Sequence, residues 1–190
     1  MIEGEELKIF IEKHQTFYSI AWHQYTIINN LVLERTNKNV KNDKDVDFVC
    51  LKNAEIQRAS IIVVIFCALT LEGFINSYGI QKFSKTYFEK HLDKLNPINK
   101  WILIPKLITG KQIDTDSQAY DLLQNLFKLR DKLVHYKIKK KKIRDLNLDK
   151  DWITEKHASA AISAVNKVIQ EFKKIEPTFD IEWLENAKKK

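Results

Sequence analysis

The chain has 190 residues and a formal net charge of +7, with only four glycines, three prolines and two cysteines. At this length one domain is expected, and the scarcity of glycine and proline favours helices joined by short polar loops over a sheet-rich fold. Two cysteines exclude a disulfide framework, and Cys50 and Cys67 do not have metal-ligand spacing. The sequence therefore predicts an all-α fold, a compact bundle of about five helices in a single domain over residues 1–190.

The first half of the chain is predicted to form two long helices. An amphipathic helix is expected over residues 5–35, and the polar residues 36–47 are expected to form a loop. A second helix is predicted over residues 53–78. Because this helix is apolar on all sides between residues 61 and 71, it should be the central, most buried element. The inward face of the first helix is predicted to consist of Phe10, Phe17, Ile20, Ile27, Ile28 and Leu31.

The second half of the chain is predicted to contain shorter helices and one further long one. Two short helices should cover residues 84–95 and 98–108, separated by an Asn-Pro pair. A third helix should end near Tyr136, and the last long helix should cover residues 154–176. One or two additional turns are expected at residues 181–187.

Two features bear on the compartment. The first ten residues are acidic and amphipathic, which is not the pattern of a signal peptide. The longest apolar run, residues 61–71, is shorter than the roughly 20 residues that a transmembrane helix needs. We therefore expect a cytoplasmic protein that does not associate with membranes.

Arg130 interrupts an otherwise regular apolar stripe in the helix that should end near Tyr136. A guanidinium cannot lose its charge, so placing it in such a stripe requires a carboxylate, a phosphate or a cleft open to water. Breaks of this kind between local pattern and residue choice are typical of functional sites. The apolar residues within about 60° of Arg130 on a helical wheel are Ala119, Leu123, Leu126, Phe127, Leu133 and Val134.

His135 is the histidine whose neighbours suit proton transfer. Asp131 lies four residues earlier and about 40° away on the wheel, so its carboxylate is expected to accept from one imidazole nitrogen and fix the tautomer. The other nitrogen would stay available for a proton, and Arg130 adds a charged fork suited to phosphate. The sequence predicts no metal site and no cofactor. The remaining histidines are expected to be structural or solvent-facing: His14, His23, His91 and His157.

A run of lysines follows His135 within a few residues. One interpretation is a solvated loop, which is a common role for lysine runs. The other is a surface that holds an RNA backbone without discriminating between bases, because clustered lysines release counterions when they meet phosphates. The position of the run directly after His135 favours the second interpretation. The candidate RNA-binding residues are Lys137, Lys139, Lys140, Lys141 and Lys142.

The segment from Arg130 to His135, with Asp131 second, resembles the R-x(4–6)-H signature of HEPN domains, in which a polar residue commonly follows the arginine. The stretch Ala68-Leu69-Thr70-Leu71-Glu72 is similar to the central helix of bacterial members. The resemblance covers residues 54–137 and implies a compact helical domain. Many members are metal-independent RNases of toxin–antitoxin, abortive-infection and CRISPR systems, while others serve as binding modules.

The resemblance implies an endoribonuclease that cleaves RNA by attack of its own 2′-hydroxyl, in a defence, stress or toxin–antitoxin context. Arg130, Asp131 and His135 would be catalytic, with Glu72 and Tyr136 in support. On an ideal helix Arg130 and His135 point about 140° apart. A shared site therefore requires a bent helix end, a long arginine reach or residues from opposite subunits. The resemblance implies the last of these, a homodimer in which two motif helices face each other and share one cleft. RNA is the expected substrate, and a cognate antitoxin protein is a further partner that this context implies.

Glu72 is the second charge in an unexpected place, since it follows the most apolar run of the chain. An isolated carboxylate there is costly, so Glu72 and Arg130 are predicted to lie at ion-pair or water-bridged distance. The alternative is that Glu72 turns to solvent.

Two functional alternatives remain open. One is a catalytically inactive HEPN-like module that binds RNA or a protein, with Arg130 as a structural ion pair. The other is a helical adaptor in which the motif is accidental. Loss of RNA in the presence of EDTA distinguishes the enzyme from both.

Overall fold

The computed structural model describes residues 13–135 and 152–189, and within these ranges all regular secondary structure is helical. This confirms the all-α prediction. The expected number of about five helices is too low, because seven occur in the described part of the chain. In chain order they are α1 (Lys13–Asn37), α2 (Asp43–Lys82), α3 (Lys85–His91), α4 (Pro97–Thr109), α5 (Gln118–Val134), α6 (Glu155–Ile175) and α7 (Trp183–Lys188).

The two shortest helices, α3 and α7, are stabilised by local bonds and by packing rather than by length. Ser84 caps α3, since its side chain accepts from the backbone N–H of Tyr87 at 3.1 Å. In α7, Trp183 and Leu184 are buried in the core. Helices of six or seven residues are unstable alone, so tertiary contacts hold both in place, at the segments 84–95 and 181–187 where short helical stretches were expected.

Helix α2 is the central element, as predicted from its apolar run. Between residues 61 and 71, Val63, Val64, Cys67 and Leu71 are completely buried. Helices α1, α4, α5 and α6 all pack on α2. The core is therefore built around one long helix, and beyond its apolar run Glu72 reaches α5 and Asn76 reaches α4.

Helix α2 also begins earlier than expected, because residues 43–47 of the predicted loop are helical. Asn42 is the N-cap, and its side chain accepts from the backbone N–H of Asp45 at 3.1 Å. Side chains of α1 hold the added turns: Arg35 donates to Asn53 at 2.8 Å, and Glu34 pairs with Lys52 at 2.8 Å. Both contacts join α1 to α2 across the hairpin that these two helices form. The composition of residues 36–47 alone does not reveal such contacts, so the segment was expected to be a loop.

The buried face of α1 agrees with the predicted one at Ile28 and differs from it elsewhere. His14, Tyr18, Ala21 and Ile28 are buried, whereas the expected residues Phe17, Ile20, Ile27 and Leu31 are only half-buried. Phe10 lies outside the described residues. Tyr18 can turn inward because Asn166 of α6 donates to its hydroxyl at 3.0 Å. Helix α1 therefore turns a different face to the core than its apolar residues predict. The Tyr18 ring fills the core well because its hydroxyl has a hydrogen-bond partner.

By length and composition alone, α2 is long and apolar enough to cross a membrane. The apolar run 61–71, which alone is shorter than a membrane span, lies within this 40-residue helix. Of the most apolar window, 56% is buried inside the protein by the other helices. The central helix of a bundle has the same length and composition, and the packing around α2 is of that kind.

Candidate functional site

Arg130 lies at the C-terminal end of the buried stripe of α5. Leu123, Leu126 and Phe127 form this stripe and are buried. The Arg130 side chain is 23% exposed, and its guanidinium carbon lies 5.3 Å from the centre of the Phe127 ring. Val134 was expected in the same stripe but is 56% exposed, whereas its neighbour Leu133 packs against the core as expected.

The predicted pair between Arg130 and Glu72 is present. Nη2 of Arg130 donates to Oε2 of Glu72 at 3.4 Å, and the Glu72 side chain is 30% exposed. Nη1 of the same guanidinium lies 3.4 Å from Oδ1 of Asp131. Arg130 is therefore held between two carboxylates, and the alternative in which Glu72 turns away to solvent is wrong.

His135 is the C-cap of α5 and does not continue the helix. Its φ of −105° and ψ of 45° are non-helical, while its backbone N–H still donates to the carbonyl of Asp131 at 2.9 Å. The expected bond between the Asp131 carboxylate and the imidazole is absent, because helical spacing no longer applies at the cap and the carboxylate contacts Arg130 instead. The imidazole is exposed, and no described residue bonds to it.

Lys100 of α4 is a buried cation that the sequence analysis missed. Its side chain is 2% exposed, and Nζ donates to Oδ1 of Asn76 at 2.9 Å. Asp93 lies 3.9 Å away, and the Phe88 ring centre lies 5.5 Å away. Burial lowers the pKa of the Lys100 ammonium, although the charges of Asp93 and Glu72 act in the opposite direction.

A signal for Lys100 was available in the sequence. On a helical wheel it lies about 40° from Ile104, on the apolar face of α4, just as Arg130 lies in the apolar stripe of α5. The sequence therefore contains two cations on apolar helix faces, Lys100 and Arg130, and both could have been predicted to lie near the Glu72 carboxylate.

These side chains form one polar cluster between α2, α4 and α5. Glu72 and Asn76 lie four residues apart on one face of α2, and Glu72 acts on the cations of both neighbouring helices. The two cations, Lys100 and Arg130, face three carboxylates, because Asp93 lies 3.9 Å from Lys100 in addition to Glu72 and Asp131. A phosphate would therefore bind only if Arg130 exchanged a carboxylate for it, or if further cations were supplied. The cluster consists of Glu72, Asn76, Lys100, Arg130 and Asp131.

Exposed apolar side chains lie on the same three helices as the polar cluster, at similar angles around each helix axis. Each lies within about 60° of a cluster residue on the same helix: Leu69 beside Glu72 on α2, and Val134 beside Arg130 on α5. On α4, Leu103 and Leu107 flank Lys100 in the same way. Between 37% and 57% of each of these residues is exposed. We call Leu69, Leu103, Leu107 and Val134 the apolar rim.

The remaining histidines are structural or solvent-facing, as predicted. The buried His14 ring lies 5.4 Å from Phe74 and 5.0 Å from Trp183. His157 belongs to the capping box of α6, where its Nδ1 accepts from the backbone N–H of Thr154 at 3.2 Å. The other two, His23 and His91, are exposed.

Several predicted site residues lie outside the described ranges. Within residues 13–135 and 152–189, no group of three or more His, Cys, Asp or Glu side chains is placed to hold a metal ion. The predicted residues that fall between these ranges are Tyr136, Lys137, Lys139, Lys140, Lys141 and Lys142.

No family model, curated protein or solved structure matches this chain. The resemblance to HEPN domains therefore rests on the segments 68–72 and 130–135.

Proposed function

We propose that this chain is a metal-independent endoribonuclease of the HEPN type that acts as a homodimer in the cytoplasm. The observation that carries the proposal is the contact between Arg130 and Glu72 at 3.4 Å. These residues come from the two segments that resemble the family, and both interrupt apolar patterns. Their meeting in one cluster, five residues before the exposed His135, supports a site at this end of α5.

The chemistry requires two proton transfers and a positive charge. A base takes the proton of the RNA 2′-hydroxyl, whose oxygen attacks the phosphorus, and an acid protonates the leaving 5′-oxygen. The products are a 2′,3′-cyclic phosphate and a 5′-hydroxyl end. His135 is assigned to proton transfer, and Arg130 is assigned to the charge that develops on the phosphoryl oxygens.

A dimer supplies what one chain lacks. One subunit offers a single histidine at this site, whereas two α5 helices across a twofold axis offer two histidines and two arginines. Contact between copies through the apolar rim would cover leucine and valine side chains that are exposed in the monomer. Lys137 and Lys139–Lys142 follow in the chain and would hold the RNA backbone.

RNA binding would rearrange the charges around Arg130. The two carboxylates hold the guanidinium at equal distances, but the Asp131 side chain is 52% exposed and that of Glu72 is 30% exposed. An incoming phosphate would therefore displace Asp131 more easily. The released carboxylate would lie one helical turn before His135, where it could orient the imidazole.

A specific observation favours a second candidate function, an inactive HEPN-like module that binds RNA or a protein. In the described structure both carboxylates engage Arg130 and none engages His135. This is the arrangement of a structural ion pair rather than of a prepared proton-transfer site.

The test is cleavage of a labelled single-stranded RNA by the purified protein in EDTA, with detection of cyclic-phosphate ends. We expect cleavage by the wild type, a loss of about 10²–10⁴-fold in His135→Ala, and no change in the control His23→Ala, which alters an exposed histidine of α1. RNA binding without cleavage by the wild type supports the inactive module. Neither binding nor cleavage supports the adaptor.

A further inference from the structure

The outer surface of α6 carries a groove between α1 and α5. On one side, the Tyr25 hydroxyl of α1 donates to Oγ of Ser159 at 3.4 Å. On the other side, Nζ of Lys167 donates to the Gln118 side chain at the start of α5. Between these contacts lies an open volume of about 510 Å³, which adjoins a second of about 200 Å³. The floor consists of small residues of α6: Ser159, Ala160 and Ser163.

The lining of this α6 groove suits the apolar face of a helix. Val32 of α1 and Leu122 and Leu129 of α5 form aliphatic walls. The small residues on the floor would allow another helix to approach within the roughly 8–10 Å that packed helix axes require. Nucleobases bind mainly by stacking on aromatic rings, and the two rings in the lining are already engaged, Tyr25 by Ser159 and His157 by the capping box of α6. The groove therefore fits leucine-like side chains better than it fits RNA.

The length of the α6 groove matches a short helix. Its lining residues on α5 extend from Gln118 to Lys132, which corresponds to about 21 Å at a rise of 1.5 Å per residue. A helix of about 14 residues spans the same distance.

The charges along the groove are positive. Lys128 and Lys132 line it on α5, and Lys156 lines it on α6. Among the described lining residues the carboxylate is that of Glu155, and Arg35 neutralises it at 3.0 Å. An occupant with glutamate or aspartate beside its apolar face would complement this arrangement.

The α6 groove is separate from the polar cluster. Lys132 points about 160° away from Arg130 around α5 and Leu129 about 100° away, so the groove and the cluster lie on different faces of this helix. An occupant of the groove would not cover Arg130, and binding there does not depend on RNA cleavage.

From the aliphatic walls, the small floor, the length and the charge, we propose that the α6 groove binds an acidic amphipathic helix of a partner protein. This is the mode in which an apolar helix face enters a hydrophobic groove and flanking charges set the orientation.

A designed peptide tests the proposal on the full-length protein. The probe is a fluorescein-labelled 14-residue peptide with leucines on one helical face and glutamates elsewhere, measured by anisotropy up to about 0.5 mM protein. We expect saturable binding. It should weaken about tenfold in Lys128→Glu/Lys132→Glu, which reverses the rim charge, and in Ala160→Trp, which fills the floor. Lys106→Glu/Lys111→Glu is the control, since it makes the same charge change at exposed lysines away from the groove.

Four results would overturn the proposal. One is absence of binding, and another is equal binding of a peptide with the same composition in scrambled order, which would show attraction by charge alone. The third is binding of a single-stranded RNA, but not of the peptide, that depends on Lys128 and Lys132. The fourth is a wild-type dimer that Ala160→Trp converts to a monomer, which would make a second copy the occupant.

Discussion

Arg130 of α5 and Glu72 of α2 lie 58 residues apart in the sequence, and their side chains meet at 3.4 Å. Each is a charged residue in an apolar part of its own helix, and each provides the opposite charge that the other requires. The pair also defines the place where α2, α4 and α5 bring the polar cluster together, because Glu72 acts on Lys100 as well. Both partners are partly exposed, so the pair is expected to orient the guanidinium more than to stabilise the fold.

The energetic coupling of this pair can be measured with a double-mutant cycle. Arg130→Met and Glu72→Gln should each destabilise the protein, and the double variant should lose less than their sum, by about 0.2–1 kcal/mol. Urea unfolding followed by circular dichroism provides the free energies. The exposed pair Lys85–Glu89, with 3.7 Å between its charged atoms, serves as a control that should show a smaller coupling. Strict additivity for Arg130 and Glu72 would show that their contact is energetically unimportant.

The apolar rim predicts how the homodimer is broken. We expect the wild type to be dimeric at micromolar concentration and Leu103→Glu to shift it toward monomer, because a buried charge at a contact between copies lacks a partner. Multi-angle light scattering checks both states. Leu51→Glu is the matched control, since Leu51 is a 64% exposed leucine at the other end of α2. A wild type that is only monomeric would leave one histidine per site and contradict the proposed transesterification.

The lysine run after His135 predicts a strong salt dependence of RNA binding. Each phosphate contact contributes about 0.7 to the slope of log affinity against log salt for a single strand. Replacement of Lys139–Lys142 by glutamine should flatten this slope and weaken binding across RNA sequences, while the cleavage rate at saturating RNA changes little. Titrations at several salt concentrations provide the slope. If affinity and slope are both unchanged, the run is a solvated loop and the functional surface is limited to Arg130, Asp131 and His135.

Lys100 predicts a dependence of stability on alkaline pH. Burial lowers its pKa in the folded state below the ordinary value of 10.5, so between these two values the unfolded chain binds the additional proton. The wild type should therefore gain stability relative to Lys100→Met as the pH rises through that interval. At pH 7 the two proteins should differ by only about 1 kcal/mol, since loss of a desolvated charge offsets loss of the bond to Asn76.

Urea unfolding of both proteins at pH 7 and pH 10 tests this prediction. The sign of the change decides the result, because other lysines titrate in both proteins and cancel in the comparison. A difference that stays constant, or that moves in favour of Lys100→Met at pH 10, would mean that the folded state does not disfavour the charged lysine.

Part of the candidate site could be predicted because its signals are local. The apolar stripe of α5 shows that Arg130 is out of place, and the run in α2 shows the same for Glu72. Burying two opposite charges costs less free energy when they are paired, so the contact between Arg130 and Glu72 was predictable without coordinates. The bond between Asp131 and His135 was not, because helical spacing fails where α5 ends and His135 takes a non-helical conformation.

The sequence by itself determined the helical class, the central position of residues 61–71 and the two misplaced charges, since apolar periodicity and composition express these directly. Only the tertiary structure decided which face of α1 is buried, where α2 begins and that Asp131 contacts Arg130. It also showed that Lys100 joins the cluster through Asn76. These features depend on how separate helices are placed against one another. Periodicity describes one helix at a time, so it does not specify contacts between residues distant in the chain.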